Sequence, residues 1–566
     1  MLRPFALALV MLGSVAAGCL APSDLDAARH QGAASTALFD LNLTKAERLP
    51  FAAKDGTKLD VAAWRPVANG SADAKFPVLV DIGPYYGNAG GDMMTLSGFD
   101  QRTVQYFVPR GYAFARVSVR GTGLSEGCFD LGGATEQQDI HDVVEFLAKE
   151  PWSTGSVAVI GKSYDGTTPW QAAITQPKGL KTIVPISGIT DMYRYTFHDG
   201  TTYPENLGFE TYYNLLVDED VDPFTPTVYA GPQDAQQNAA RTCWQDNADQ
   251  SAQGAITIGN GDHGTAFWKE RDYELSWSKV QVPVFMVHGL HDWNVKPDNA
   301  VPLYNNLTVP KMAWLGQWEH NYPDVNTYKP EWSRHDWNET LLTWFDHWLK
   351  GVDNNWTSLA HVEAQDQAGE WRNSTAWPPA DAEPVTLYLG PSGALSAAPP
   401  AAGVVTLSAD PRVQTPLGGE LRAKFATAAL SKDVTLVGMP TVSVTLSLDR
   451  PAGNLVAIWY DVLPNGSWVE WDHGSRELMH RDTREQGSPV TPGATFTTMV
   501  NLYPQETTLA AGHKLGLALA PEDPAWIEPS PLGQGATYTV QLGEKGTALH
   551  ALALPGGAAA FGAAPS

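Results

Sequence analysis

The sequence predicts an α/β catalytic fold carrying a helical cap insertion and followed by an all-β domain of sandwich or jelly-roll type. Apolar runs of strand length, such as "FPVLVDIG" (76–83) and "VAVIG" (157–161), alternate with segments of helical period, the mark of βαβ units and a largely parallel sheet. That rhythm breaks at residue 188 and resumes near 281, so an insertion interrupts the sheet. Beyond about residue 353 helical period is scarce, and short β-rich runs recur between Gly/Pro turns.

Taken in chain order, the first 18 residues read as a signal peptide. Arg3 supplies the positive charge, and "FALALVMLGSVAA" is an apolar stretch too short to span a bilayer well. It ends in Ala16-Ala17-Gly18-Cys19, which resembles a bacterial lipobox with Ala16 where leucine usually stands. Lipidation of Cys19 is the expectation, with ordinary secretory cleavage nearby as the alternative. Either route puts the mature protein outside the cytoplasm, and a lipidated Cys19 would hold it on the membrane surface of a bacterial-type envelope without a spanning helix. The Ala/Ser/Asp-rich residues 19–37 read as a tether.

Residues 38–187 and 281–352 are expected to form the catalytic domain. Its strands are read at 76–83, 112–121, 157–161, 180–187, 282–289 and 311–320, and its helices at 134–150 and 338–351, the latter ending on a glycine. In the first helix Ile140, Val143, Val144 and Leu147 share one face. Residues 188–280 are aromatic and acidic, with helical pieces such as "FETYYNLL" (209–216), and read as the cap. Residues 353–566 hold the β runs "VTLYLG", "VVTLS", "PTVSVTLSL", "NLVAIWYDVL", "KLGLALA" and "TYTVQLG".

Composition bounds the function. A chain of 566 residues with 43% hydrophobic content is globular and suits two to four domains. The net charge of −25 argues against a nucleic-acid partner, which needs a basic face. No phosphate-binding glycine loop and no convincing metal set implies a cofactor; His288, His291 and Asp292 read as a strand-end loop, not as ligands. Besides Cys19 the cysteines are Cys128 and Cys243, which an oxidising compartment would join in a disulfide; two buried free thiols are the alternative.

The chemistry is concentrated at Gly161-Lys162-Ser163-Tyr164-Asp165-Gly166. A buried strand turning sharply into a helix pushes the apex residue out above the sheet's carboxyl edge, and flanking glycines let the backbones approach. The next N–H lies at a helix N-terminus, which favours a developing negative charge. The pattern is close to the nucleophile elbow G-x-S-x-G, with one extra residue before the final glycine. A serine hydroxyl needs a base oriented by a carboxylate, and in such a fold the chain order is Ser, acid, His. Asp292 follows "VPVFMVHGLH" and His320 follows "KMAWLGQWE", each at the end of a predicted strand and in that order. His288, His291, His335 and His347 are less well placed, within or beside the predicted elements.

These residues resemble the serine α/β-hydrolases that include Xaa-Pro dipeptidyl-peptidases and cocaine esterase-like (CocE/NonD) enzymes. "GKSYDGT", "HGLHDWNVKP" and "RGTGLSEG" resemble the dipeptidyl-peptidase side, and "TTPWQAA" and "WFDHWLKGVDN" the wider family. The resemblance spans nearly the whole mature chain. It implies an α/β-hydrolase with a helical cap and a C-terminal jelly roll, Ser163 as nucleophile, Asp292 as orienting acid and His320 as base. It also implies an oxyanion hole of the Tyr164 N–H and a tyrosine hydroxyl from "DIGPYYG", Tyr85 in preference to its neighbour Tyr86. The expected reaction is release of N-terminal Xaa-Pro dipeptides through an acyl-enzyme. An apolar slot from Trp170 and cap aromatics such as Phe209 would take the proline, and Asp165 or Glu210 the free amine. The alternatives are an esterase or acylase acting on small esters or amides with the same triad, and a surface binding protein on an inactive hydrolase scaffold.

Overall fold

A computed structural model describes residues 39–67, 74–86, 93–204, 261–326, 329–354, 356, 361–409 and 422–562. The expected signal peptide, tether and lipidation site Cys19 lie outside them, as does most of the expected cap with Phe209, Glu210 and Cys243.

The catalytic domain is a ten-stranded sheet of β1 (Thr44–Ala52), β2 (Lys58–Pro66), β3 (Phe76–Gly83), β4 (Ala113–Ser118), β5 (Ser153–Lys162), β6 (Leu180–Ile186), β7 (Val284–Gly289), β8 (Lys311–Gly316), β9 (Val362–Gln365) and β10 (Trp371–Ser374). Their spatial order is β1-β2-β4-β3-β5-β6-β7-β8-β9-β10. The pairings β1–β2, β2–β4 and β9–β10 are antiparallel, and the strands from β4 through β9 run parallel. The strands β9 and β10 come after the boundary expected at 352/353, yet they complete this sheet: β9 pairs in parallel with β8 through Ala313 and Val362.

Continuous apolar runs fit because both faces of the sheet are covered. Helices α1 (Gly98–Phe107), α2 (Ala134–Lys149), α3 (Tyr164–Thr175) and α4 (Trp337–Lys350) flank it. On one face Val78, Val80, Val157 and Val159 pack with the α2 residues Ile140, Val143, Val144 and Leu147, the stripe read from the sequence. On the other face Leu79, Ile160 and Val184 pack with Phe107 of α1 and Leu341, Trp344 and Phe345 of α4. Trp344 also donates its indole N–H to Thr182 Oγ1 on β6 at 2.9 Å. The helix α4 stops at Gly351, whose φ of 69° is the left-handed conformation that glycine adopts without strain.

The C-terminal domain is β-rich. Twelve described strands from Glu383–Gly390 to Ala548–Ala553 enclose a core of their own, and the six predicted runs are all strands. The longest, Val434–Leu448, alternates buried and partly exposed residues over its second half, the period of a strand with one face on a core. This domain also supports the catalytic rim. Gln505 donates to the Leu290 carbonyl at 3.0 Å, and the Glu506 carbonyl accepts from Gln317 at 3.1 Å, so one β-domain strand holds the loops that leave β7 and β8.

Candidate active site

Ser163 stands alone between the end of β5 and the start of α3, with φ 69° and ψ −124°. Such a backbone costs a non-glycine residue about 1–3 kcal/mol and persists only where the surroundings over-determine it. They do so here. The Ser163 N–H donates to the Ile186 carbonyl at 3.0 Å, and the Ser163 carbonyl accepts from the Gly166 and Thr167 N–H groups, each at 3.0 Å. The flanking glycines are required by proximity: a Cβ at Gly166 would collide with the Ile186 carbonyl, and one at Gly161 with Asp81 and the Asp165 carbonyl. The extra residue of the motif, Asp165, fits because Gly83 on β3 leaves room where a Cβ would overlap its carboxyl.

The candidate acid and base come from the loops after β7 and β8, one strand beyond the neighbouring β6. Asp292, on the loop after β7, is fully buried; its Oδ1 accepts the N–H groups of Asn294 (3.1 Å) and Val295 (2.9 Å). Its Oδ2 faces His320 Nδ1 at 2.8 Å. Burial pushes this carboxyl up, but the charge and hydrogen bond of His320 outweigh it and hold Asp292 below the usual carboxylate range. An anionic Asp292 accepts an Nδ1–H, which leaves His320 Nε2 as the basic nitrogen. The histidine side chain is one-fifth exposed. Among the described residues no hydrogen bond closes from Ser163 Oγ to His320, a contact that commonly tightens only with substrate bound. The two loops are tied by Lys162, whose Nζ donates to the His320 carbonyl at 3.0 Å.

The competing histidines are engaged elsewhere. His288 is buried with Nε2 against the Val295 carbonyl at 2.8 Å, where it props the acid loop, and His347 Nδ1 faces the Val352 carbonyl at 3.0 Å beyond α4.

Comparisons with known proteins agree with this layout. Residues 55–322 match the X-Pro dipeptidyl-peptidase (S15 family) and residues 354–557 the X-Pro dipeptidyl-peptidase C-terminal non-catalytic domain. A Streptomyces avermitilis protein, provisionally named an Xaa-Pro dipeptidyl-peptidase, is 30% identical over 90% of this chain and 82% of its own length. The chain belongs to the S15 X-Pro dipeptidyl-peptidase family. It is a serine hydrolase, and the family embraces dipeptidyl-peptidase chemistry. In fold it is similar to a CocE/NonD family hydrolase from Staphylococcus aureus, with a TM-score of 0.72 at 19% identity over 90% of this chain and 94% of that one. It is also similar to an α-amino acid ester hydrolase, with a TM-score of 0.70 at 18% identity over 92% and 98%.

Within this S15 chain the two tyrosines after β3 have different surroundings. Tyr86 is buried; its hydroxyl donates to Asp165 Oδ2 at 2.7 Å, and the Arg116 guanidinium lies 4.4 Å from its ring centre. Tyr85 is only partly buried, packed against the core that holds the elbow. Tyr164, the first residue of α3, turns its side chain inward, where its hydroxyl donates to Glu136 at 2.9 and 2.8 Å. Burial pushes the Glu136 carboxyl up to about 7, although the Tyr164 bond pulls it the other way.

Two expected substrate contacts are corrected. Trp170 is fully buried in the core between α3 and the sheet, close to Gly188, and lines no open slot. Asp165 lies beneath the elbow bound to Tyr86, where burial first, then the nearby Asp100 carboxylate, push its carboxyl well above the usual range. It braces the elbow and meets no amine. Nearly every residue of α3 is buried, which takes both side chains out of reach of the surface. Cys128 is disulfide-bonded, and its expected partner Cys243 lies outside the described residues.

Among the described residues, Asp191, His263 and Asp272 are the groups whose ligand atoms gather closely enough for a metal ion. The Arg484 guanidinium already occupies the cationic place, donating to Asp191 Oδ2 at 2.7 Å and Asp272 Oδ2 at 3.0 Å. Sequence reasoning missed Lys162 and the Tyr86–Asp165 and Tyr164–Glu136 pairs. Lys162 and Asp165 lie inside the quoted motif, but nothing local to it announces partners so distant along the chain.

Proposed function

We propose that this S15 hydrolase releases N-terminal Xaa-Pro dipeptides through an acyl-enzyme on Ser163. The observation that carries the reading is the anionic, buried Asp292 at 2.8 Å from His320 Nδ1, beside a serine held in elbow geometry. His320 Nε2 takes the Ser163 proton as Oγ attacks the scissile carbonyl carbon. The negative charge that develops on the carbonyl oxygen is met by the Tyr164 N–H at the start of α3 and by the Tyr85 hydroxyl. His320 then gives its proton to the leaving amine, and water, deprotonated by His320, releases the dipeptide and restores Ser163. Asp292 keeps the imidazole in the required tautomer and stabilises the imidazolium.

The remaining parts of the reading are the segment 188–280 as a helical cap over the site, the β-rich domain as a jelly roll, and work outside the cytoplasm, secreted or held at a membrane surface by lipid on Cys19. The deciding experiment compares Gly-Pro-anilide, its N-acetylated form and a simple aryl ester, in the wild type and in Ser163→Ala. Turnover of the free-amine peptide, none of the blocked one, and none in Ser163→Ala are expected. Equal rates on blocked and free peptide, or preference for the ester, would make the protein an acylase or esterase. Near-normal rates in Ser163→Ala would reject the mechanism.

A further inference from the structure

We propose that Lys162 is a positioning residue for the reaction: its ammonium grips the loop of the base and so sets the reach of His320 to Ser163. The inference rests on the triad reading above and adds to it. Lys162 is the last residue of β5 and is bonded directly to Ser163, so its main chain moves with the nucleophile. Its side chain crosses to the loop after β8. There Nζ donates to the His320 carbonyl at 3.0 Å and lies 5.4 Å from the Tyr322 ring centre, within cation–π range. One ammonium therefore holds the loop on either side of residue 321.

The other restraints on this loop leave a degree of freedom that Lys162 removes. Asp292 fixes the imidazole at Nδ1, but it belongs to the loop after β7 and sets the ring's orientation rather than its distance from Ser163. Tyr322 stacks on Phe99 of α1 with ring centres 4.4 Å apart, and Arg102 of α1 pairs with Asp324 at 3.5 Å. Those contacts fasten the loop to α1, on the flank of the sheet. Among the described residues, Lys162 makes the hydrogen bond that fastens it to the elbow. Placing a largely buried ammonium there is costly unless it is hydrogen-bonded, so the arrangement is one the fold supports at some expense. Burial disfavours this charge, and Asp292 from the β7 loop and Asp165 from α3 favour it.

The experiment uses Lys162→Met, which keeps the length and removes the donor and the charge. A displacement of about 1 Å costs about a hundredfold in turnover, so kcat on Gly-Pro-anilide is expected to fall by about that factor with KM little changed. A second variant, Lys162→Cys, is assayed before and after S-aminoethylation, which rebuilds an amine of lysine length; recovery of kcat is expected, with identically treated wild type unchanged. If Lys162→Met keeps wild-type kcat while Ser163→Ala is inactive, Lys162 has no such role and the triad stands. If Ser163→Ala is active, the triad reading falls and takes this inference with it. If Lys162→Met does not fold, the Cys variant decides: a folded, aminoethylated protein that stays slow overturns the proposal.

Discussion

Tyr85 and Tyr86 are neighbours in the chain, and removing one hydroxyl at a time should separate their work. Tyr86→Phe deletes the donor that Asp165 Oδ2 meets at 2.7 Å. Asp165 is buried and its Oδ1 has no hydrogen-bond partner, so the change strips the carboxyl of its tyrosine contact. Burial first, and then the nearby Asp100 carboxylate, push the Asp165 carboxyl well above the usual range and toward its neutral form, so what is left is an orphaned buried polar group. The cost is then about 1–3 kcal/mol of stability, not the 3–5 or so of a stranded charge. Catalysis should fall no more than about tenfold, a share of about 1.4 kcal/mol passed on through the elbow. Tyr85→Phe should do the reverse. It removes the hydroxyl proposed to meet the oxyanion, a loss expected to cost about 100- to 1000-fold in kcat, while the partly buried ring keeps its packing. The assay pairs urea unfolding with steady-state hydrolysis of Gly-Pro-anilide for both variants. Tyr85→Phe at wild-type kcat, or Tyr86→Phe catalytically crippled at unchanged stability, would refute the division of roles.

Gly166→Ala should abolish soluble, folded protein or reduce its denaturation midpoint severely, because the added methyl meets the Ile186 carbonyl and neither backbone can retreat; normal expression and unfolding would contradict the tight elbow. Glu136 is held up near pH 7 by burial against an unfolded value of about 4.5, so the folded state binds the extra proton between those values and stability falls as pH rises through them. The effect reaches at most about 3 kcal/mol, and Glu136→Gln should flatten the slope of stability against pH between 5 and 7 or so when urea midpoints are compared. His480 has the same sign. Burial lowers its basicity, but Glu477 (Nδ1, 3.2 Å) and Asp262 (Nε2, 3.0 Å) outweigh it and raise the pKa above the ordinary value. Its contribution is complete below about pH 6.5 and lost as pH rises through the folded value, so His480→Gln should lack the loss of stability that the wild type shows as pH rises above about 6.5.

Much of the fold is legible because local chain properties record it. The run 76–83 is strand β3 to the residue, and the helix expected at 134–150 is α2 with its predicted stripe buried. Ser163, Asp292 and His320 were legible for a related reason: each follows a strand, and a parallel sheet gathers the ends of its strands along one edge. The substrate contacts were less so. Trp170 and Asp165 have the composition of a binding site, and only packing reveals that both face inward.

By itself the sequence determined the alternation of strands and helices, the strained serine between close-packed glycines, the order of nucleophile, acid and base, and the β-rich domain that follows. Periodicity and glycine placement are properties of neighbours in the chain, so they survive without coordinates. Tertiary structure alone decided that Tyr86 is buried with its hydroxyl on Asp165 while Tyr85 is only partly buried, that Lys162 reaches a carbonyl at residue 320, and that β9 and β10 finish the catalytic sheet. Each of these depends on which distant segments are brought within a few ångströms, and no local pattern encodes that distance.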